Sequence, residues 1–288
     1  MRLFLNAQWQ KYWAGKDVFA EANAIQGKIY RSKEGRRTLR FEHDGRGYFL
    51  KLHTGIGWRE VFKNLFSLRL PIVGAANEYR ACLRLAQLGI DTLTPAAFGE
   101  RGLNPARRES FLITEELANT VSLEDYCKKW REHPPTLREK RAIIRKLAQS
   151  TKTLHENGIN HRDYYLCHFL RADNQVPFAL GKALYLIDLH RAQMRTQLPD
   201  RWRVKDVAGL FYSAFDLPLT KRDLVCFLSI YKREWLKNSK NPQLLSVCKK
   251  AVALYRKDFG AAAPAAIAAL LSRPKSGQCQ PATQANIP

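Results

Sequence analysis

Two aspartates in the second half of the chain stand where a phosphoryl-transfer enzyme needs carboxylates. Asp163 ends a His-Arg-Asp triplet that follows a predicted helix and its Gly158 stop, and Asp188 follows a short apolar strand 25 residues later. In protein kinases, one carboxylate accepts the proton of the acceptor hydroxyl, and another holds the Mg²⁺ that neutralises the nucleotide phosphates. The order and spacing therefore predict Asp163 as the catalytic base and Asp188 as a metal ligand.

The position five residues after Asp163 is His168, where the kinase catalytic loop carries a metal-binding asparagine. Mg²⁺ prefers oxygen ligands to imidazole nitrogen. We therefore expect His168 to contribute to the metal site either as a weak direct ligand or by holding a water molecule.

A lysine and a glutamate earlier in the chain have the spacing of a nucleotide-binding ion pair. Lys51 lies on an apolar strand that begins near Tyr48, and Glu78 follows 27 residues later on a predicted helix. In kinases such a lysine contacts the nucleotide phosphates and is held by a helix glutamate. No G-x-G-x-x-G loop precedes Lys51, and the hairpin before it carries Gly35 and Arg36 instead. Backbone amides and an arginine are therefore expected to contact the phosphates.

Each of these motifs is weak evidence when it is taken alone. A His-Arg-Asp triplet occurs by chance in solvated loops, a strand lysine or helix glutamate usually faces water, and an aspartate after an apolar strand is often a plain cap. Their joint occurrence in the kinase order, each on the expected kind of element, favours a kinase. A kinase-like scaffold without catalysis stays open, because the glycine loop and the usual asparagine are both altered.

The hydrophobic pattern indicates an α+β layout, and with the motifs above it predicts a two-lobed, protein-kinase-like fold. Residues 1–26 are predicted as an N-terminal extension with one short helix, and residues 27–117 as a small strand-rich N-lobe. Residues 118–259 form the predicted larger, helical C-lobe, and the Ala-, Pro- and Gln-rich residues 260–288 a disordered tail. A long helix is expected over 137–157, immediately before the triplet.

The composition is strongly basic. The 288 residues include 48 Lys and Arg against 26 Asp and Glu, which gives a formal net charge of +22. Such a charge favours anionic partners, namely nucleic acid, an anionic membrane, a phosphorylated substrate or an acidic protein. A nucleic-acid-binding protein is the main alternative from another class, although no helix-turn-helix, finger or RNP pattern is present. Transfer of the ATP γ-phosphate would separate the two, whereas binding to a polyanion column would not.

The cysteines and the hydropathy profile indicate a cytoplasmic protein. The six cysteines have no C-x-x-C spacing and are expected to be reduced thiols, not disulfides or zinc ligands. No segment is long and apolar enough to span a membrane, and the N-terminus lacks the pattern of a secretory leader. Any contact with a membrane is therefore expected to be peripheral.

Two longer segments resemble the lipopolysaccharide core heptose(I) kinases. Residues 161–170, HRDYYLCHFL, are similar to the catalytic block of that family, and residues 186–193, LIDLHRAQ, to its second block. Shorter similar segments lie at 36–40, 48–53 and 122–126. The resemblance implies an ATP- and Mg²⁺-dependent kinase that phosphorylates the first heptose of the lipopolysaccharide inner core.

The resemblance also implies roles for individual residues. Asp163 would be the base that faces the heptose hydroxyl, and Asp188 and His168 would hold the metal. Lys51 would contact the ATP phosphates and be held by Glu78.

Partners and location follow from the same resemblance. The protein would bind lipid-linked heptose and an anionic membrane surface, and no nucleic acid, on the cytoplasmic face of the inner membrane of a Gram-negative cell. An acyl carrier protein is a further partner that the resemblance suggests. A kinase acting on a protein tyrosine or another small molecule stays the alternative within the class, and the absence of an Ala-Pro-Glu segment argues against ordinary protein substrates.

Two further features have open interpretations. Asp206 is either the carboxylate that braces the catalytic loop in kinases or a simple helix-start carboxylate. Residues 57–70 form a predicted amphipathic helix whose apolar face includes Trp58, Phe62 and Phe66. That face either packs into the core or docks on a membrane or a carrier protein.

Overall fold

The structure is a computed structural model that describes residues 1–33, 35–55, 57–58, 74–104, 106–173, 177–179, 181–237 and 241–260. The elements named below lie within these ranges. The strands are β1 (Arg2–Leu5), β2 (Lys28–Lys33), β3 (Arg36–His43), β4 (Arg46–Thr54), β5 (Pro95–Arg101), β6 (Glu109–Glu115), β7 (Thr120–Ser122), β8 (Ile159–Asn160), β9 (Phe169–Ala172), β10 (Tyr185–Leu186) and β11 (Gln193–Met194). The α-helices are α1 (Ala7–Tyr12), α2 (Val18–Ala24), α3 (Ala76–Gln87), α4 (Leu123–Lys128), α5 (Leu137–Glu156), α6 (Asp200–Ser213), α7 (Lys221–Tyr231), α8 (Glu234–Lys237) and α9 (Pro242–Phe259).

Six antiparallel strands form the sheet of the N-lobe in the order β1-β5-β6-β4-β3-β2. The predicted hairpin is present as β3 and β4, and β4 also pairs with β6. Because side chains alternate between the two faces of a strand, the buried Leu50 and Leu52 point away from the face that carries Lys51. Helix α3 lies on the Lys51 side, where its Glu78 meets the lysine.

The first residues of the chain hold more structure than the single short helix expected there. Strand β1 extends the sheet by pairing with β5, and both α1 and α2 follow it. Trp9, Trp13 and Phe19 are buried in the same core cluster as Leu39 and Leu50. The expectation was wrong because β1 has only four residues and its partner strand lies more than 90 positions later, so no local pattern signals the pairing.

Helix α5 is the central helix of the C-lobe and matches the helix expected over 137–157. Thr136 begins it as an N-cap that accepts from the Glu139 backbone N–H, and residues at helical spacing on one face are buried. These residues include Ile143, Leu147 and Leu154, which join the large C-lobe core formed with α4, α6, α7 and α9. Burying this stripe fixes the direction in which the chain leaves the helix toward the His161-Arg162-Asp163 triplet.

Gly158 makes the turn from α5 into β8. Its φ of +72° lies in the left-handed region, and a Cβ at this position would come within 1.8 Å of the Arg195 carbonyl oxygen. Glycine alone meets both demands, since it has no Cβ. The predicted helix stop is thereby confirmed, and it sets the start of the segment that carries His161 and Asp163.

Two regions singled out in the sequence fall largely outside the described residues. Of the predicted amphipathic helix over 57–70, only residues 57–58 are described, and of the predicted tail over 260–288, only residue 260. Among the helices within the described ranges, none combines the length and the apolar character needed to cross a membrane.

Candidate active site

The loop that carries the predicted base, Asp163, is held in place by a carboxylate of α6. Asp206 is fully buried, and its two oxygens accept hydrogen bonds from the backbone N–H groups of His161 at 2.7 Å and Arg162 at 2.9 Å. The Nε2 atom of His155, on α5, lies 3.4 Å from the same carboxylate. Of the two interpretations of Asp206, the brace is therefore the one that the contacts support.

Two residues of the site adopt a backbone conformation that side chains rarely occupy. Arg162 has a φ of 77° and Asp188 a φ of 63°. A non-glycine residue in this region costs on the order of 1–3 kcal/mol and persists only where surrounding contacts hold it. Here the two strained residues stand next to the predicted base and at the predicted metal ligand.

Asp163 receives a hydrogen bond from an arginine that the sequence analysis did not single out. Arg191 Nη1 lies 2.8 Å from Asp163 Oδ1 and 3.0 Å from its Oδ2. The remaining side of the carboxylate is partly exposed, with 19% of the side chain accessible. Arg191 can therefore orient the carboxylate while leaving it open to an acceptor hydroxyl.

Lys51 and Glu78 form the ion pair that their spacing predicts. Lys51 Nζ lies 2.6 Å from Glu78 Oε1 and 3.9 Å from Asp188 Oδ1. Burial lowers the pKa of Lys51, but the carboxylates of Glu78 and Asp188 outweigh it and raise the pKa above its ordinary value. Lys51 is thus a firmly held cation beside Asp188, which is what the predicted contact with nucleotide phosphates requires.

Asp188 is an ionised carboxylate surrounded by basic side chains. Its Oδ1 lies 2.5 Å from His190 Nδ1, and its Oδ2 lies 3.6 Å from His168 Nε2. Burial would raise the pKa of the Asp188 carboxyl, but the hydrogen bond from His190 and the charges of Lys51 and His168 hold it well below its usual range. The group therefore remains an anion at every pH at which a kinase works.

His168 connects the two aspartates. Its Nδ1 donates to the Asp163 carbonyl oxygen at 2.6 Å, because a carbonyl oxygen can only accept. Its Nε2 faces Asp188. The five residues predicted for the site are consequently joined by contacts that run from Glu78 through Lys51, Asp188 and His168 to Asp163.

The donor set fits magnesium through Asp188. Mg²⁺ is commonly held by one or two carboxylates, with substrate phosphates and water completing its octahedron. Within the described ranges, no three His, Cys, Asp or Glu side chains converge as a metal-binding group. Asp188 supplies the carboxylate that such a shared site needs. The Nδ1 atom of His168 is used in the hydrogen bond to Asp163, so only its Nε2 atom can face the metal. Because Mg²⁺ prefers oxygen ligands, this nitrogen suits a hydrogen bond to a metal-bound water better than direct ligation.

Sequence reasoning missed Arg191, His190 and the buried His155. His190 and Arg191 follow Asp188 within the 186–193 segment. Their closeness in sequence to a predicted metal ligand was therefore the feature that could have identified them. His155 carried no such signal, because its contact with Asp206 joins residues 51 positions apart that lie on two different helices.

Comparison with known proteins gives consistent matches. The profile of the lipopolysaccharide kinase (Kdo/WaaP) family matches residues 20–231. The chain is 50% identical over 237 residues to the lipopolysaccharide core heptose(I) kinase WaaP of Pseudomonas aeruginosa, covering 82% of this chain and 88% of that protein. It is 49% identical over 223 residues to WaaP of Escherichia coli, covering 76% and 83% of the two chains.

A solved structure is similar as well. The structure of WaaP in complex with acyl carrier protein superposes with a TM-score of 0.77 at 44% sequence identity. The match covers 88% of this chain and 100% of the other. The likeness therefore includes both the sheet with Lys51 and the helical part with Asp163.

Proposed function

The chain belongs to the lipopolysaccharide kinase (Kdo/WaaP) family, with a two-lobed, kinase-like α+β fold, and we propose that it phosphorylates the first heptose of the lipopolysaccharide inner core with ATP. The observation that carries the proposal is that about half of the aligned residues are identical to those of heptose(I) kinases, over 223 to 237 residues of the chain. The connected set from Glu78 to Asp163 supplies the groups that this reaction needs.

Asp163 acts on the acceptor in the proposed reaction. Its carboxylate accepts the proton of the heptose hydroxyl as the hydroxyl oxygen forms a bond to the γ-phosphorus, and the bond from that phosphorus to the bridging oxygen of ADP breaks. Arg191 keeps the carboxylate turned toward the acceptor. On the nucleotide side, Lys51 binds the phosphates while Glu78 holds it in place.

Asp188 would hold the magnesium ion that enters with ATP, and His168 would hold a water of that ion. When bound, the ion neutralises charge on the phosphates. We expect Asp188→Ala to abolish Mg²⁺-dependent binding of an ATP analogue, because Glu78 is already paired with Lys51 and Asp163 with Arg191, which leaves Asp188 as the carboxylate for the ion. Calorimetric titration with and without Mg²⁺ measures this, and Asp173→Asn, at an exposed position, is the control. An unchanged Mg²⁺-dependent affinity would place the metal elsewhere.

The decisive experiment is transfer of radiolabelled phosphate from ATP to inner-core lipopolysaccharide that lacks this phosphate. Wild-type protein should label the acceptor, and Asp163→Asn should not. Labelling of a protein in place of the glycolipid, or labelling in a blank without acceptor, would contradict the proposal.

We propose two further partners on separate grounds. An acyl carrier protein is suggested by the relative solved with one, and a cavity of about 120 Å³ in the C-lobe has the apolar lining that an acyl chain needs, formed by residues that include Leu123, Ile143 and Phe227. An anionic membrane surface is suggested by the net charge of +22. Co-purification of a carrier protein and sedimentation with anionic liposomes test the two independently.

A further inference from the structure

A second, larger cavity of about 510 Å³ opens beside the catalytic loop. It lies between α3, the end of β5 and the segment that follows Asp188, and it lies outside the Lys51–Glu78 nucleotide site. Its lining includes six arginines and one carboxylate, Glu100. Four of these arginines are Arg80, Arg108, Arg162 and Arg191.

The protein neutralises the charges of this cavity unevenly. Arg101 pairs with Glu109 at 2.7 Å and with Asp17 at 3.5 Å, whereas other arginines of the lining have long ion pairs or none. Glu100 is shared by Arg2 at 3.8 Å and Arg108 at 3.9 Å, which are long ion pairs. Arg80 donates its Nε to the Ala76 carbonyl oxygen of its own helix, and no carboxylate of the described chain pairs with it. Concentrated cationic charge without compensation is costly for a fold, and it is typical of a site that binds an anion.

Arg162 has a buried hydrogen-bond donor that the protein does not satisfy. Its Nε is buried without a hydrogen-bond partner, and the same is true of Arg108 Nε. Burial lowers the pKa of Arg162, and the charge of Arg191 lowers it further. Buried guanidinium donors are normally satisfied, so donors left over in a cleft point to a ligand that brings acceptor oxygens.

Arg191 joins this cavity to the catalytic carboxylate. Its Nη1 donates to Asp163, while its Nη2 and Nε have no hydrogen-bond partner within the described part of the chain. A guanidinium can bind two oxyanions through different edges. An anion seated in the cavity would therefore be held one guanidinium away from the base.

We propose that this arginine-lined cavity binds an oxyanion, a carboxylate or a phosphate, that the acceptor glycolipid carries close to its reacting hydroxyl. Arg80, Arg162 and Arg191 bind that group, and Arg191 thereby sets which hydroxyl reaches Asp163. The proposal rests on the proposed function, because it names the part of the acceptor that the site recognises.

Binding can be measured without catalysis. Inorganic phosphate is titrated calorimetrically into protein whose nucleotide site is filled with a non-hydrolysable ATP analogue. Wild type should bind it saturably, and Arg80→Gln should bind it about tenfold more weakly, the effect of losing one charge-assisted hydrogen bond. Arg84→Gln is the matched control, since Arg84 lies on the same helix and outside the cavity lining. Equal phosphate affinity in both variants would overturn the proposal.

Acceptor kinetics identify the source of the oxyanion. In Arg80→Gln the KM for the acceptor should rise about tenfold while the KM for ATP stays unchanged. Wild type is also assayed with acceptor whose carboxyl groups are methyl-esterified and with acceptor whose other phosphates are removed. The modification that raises the acceptor KM identifies the bound group, and no change with either one overturns the proposal. If the intact acceptor is not phosphorylated at all, the proposed function fails, and the phosphate titration still decides whether the cavity binds an oxyanion.

Discussion

Asp163 is the single residue on which the proposed chemistry depends most directly. Asp163→Asn removes the proposed proton acceptor but keeps the size of the side chain and its ability to accept from Arg191. We expect kcat to fall by about two to four orders of magnitude, the usual contribution of a general base. The measurement is steady-state transfer to the acceptor, with the thermal midpoint as a check on folding. A folded variant that retains wild-type turnover would assign the base to another residue.

Glu78 acts at the residue scale through its partner Lys51. Glu78→Gln removes the charge that holds Lys51 Nζ at 2.6 Å and leaves the lysine drawn toward Asp188. We expect the KM for ATP to rise about tenfold, with a smaller change in the KM for the acceptor. The control is Glu42→Gln, which removes a carboxylate from an exposed position on the same sheet. Equal ATP KM values in the two variants would show that the ion pair does not position the lysine for the nucleotide.

At the scale of elements, helix α6 holds the loop that carries Asp163, through the hydrogen bonds that Asp206 accepts from its backbone. Asp206→Asn replaces one acceptor oxygen with an amide N–H₂ that opposes a backbone N–H. We expect a loss of about 1–3 kcal/mol in the free energy of unfolding, together with a lower kcat. Urea denaturation measures the first and transfer assays the second.

Asp200→Asn is the matched control for that change, because Asp200 lies in the first turn of the same helix with 60% of its side chain exposed. If the Asp206 variant is as stable and as active as the Asp200 variant, the two backbone hydrogen bonds contribute nothing to the loop.

The elements also show how far sequence patterns reach. The helix stop at Gly158 and the pairing of Lys51 with Glu78 were predictable, because each depends on local geometry or on a spacing that a kinase template supplies. The edge position of β1 was not, since it depends on a partner strand far along the chain. Arg191 was missed for a similar reason: its neighbour Asp163 is close only after the sheet and the helices have packed.

At the scale of the whole molecule, part of the excess of positive charge is concentrated in one place. The net charge is +22, and six of the arginines line one cavity next to the catalytic loop. Anionic acceptors would be drawn to such a cleft from a distance, and the attraction would weaken with salt because the Debye length falls to about 8 Å at physiological ionic strength. The basic composition that first suggested nucleic acid is thus equally suited to a glycolipid at a membrane surface.

Three buried histidines make the stability of the whole molecule depend on pH. Burial lowers the pKa of His155 and of His161, and burial together with the charges of Arg36 and Lys51 lowers the pKa of His53 to about 3. In the unfolded chain each has a pKa of about 6.5. Below that pH the unfolded state binds protons that the folded state does not, so the free energy of unfolding must fall as the pH falls.

For His53, whose folded pKa is about 3, the slope approaches about 1.4 kcal/mol per pH unit between pH 6 and pH 5. His155 and His161 add to the loss in the same direction. Asp188, with its lowered pKa, adds a loss only below about pH 4, where the unfolded carboxyl becomes protonated. The window above pH 5 therefore isolates the histidines. Urea denaturation across this window measures how the free energy of unfolding changes with pH. The slope should be shallower for His53→Gln than for wild type, and the difference should be at most the slope that the uptake of one proton produces. His133→Gln, at an exposed position, should keep the wild-type slope. If both variants keep the wild-type slope, His53 is protonated in the folded protein as readily as in the unfolded chain. The pKa of folded His53 would then not be lowered.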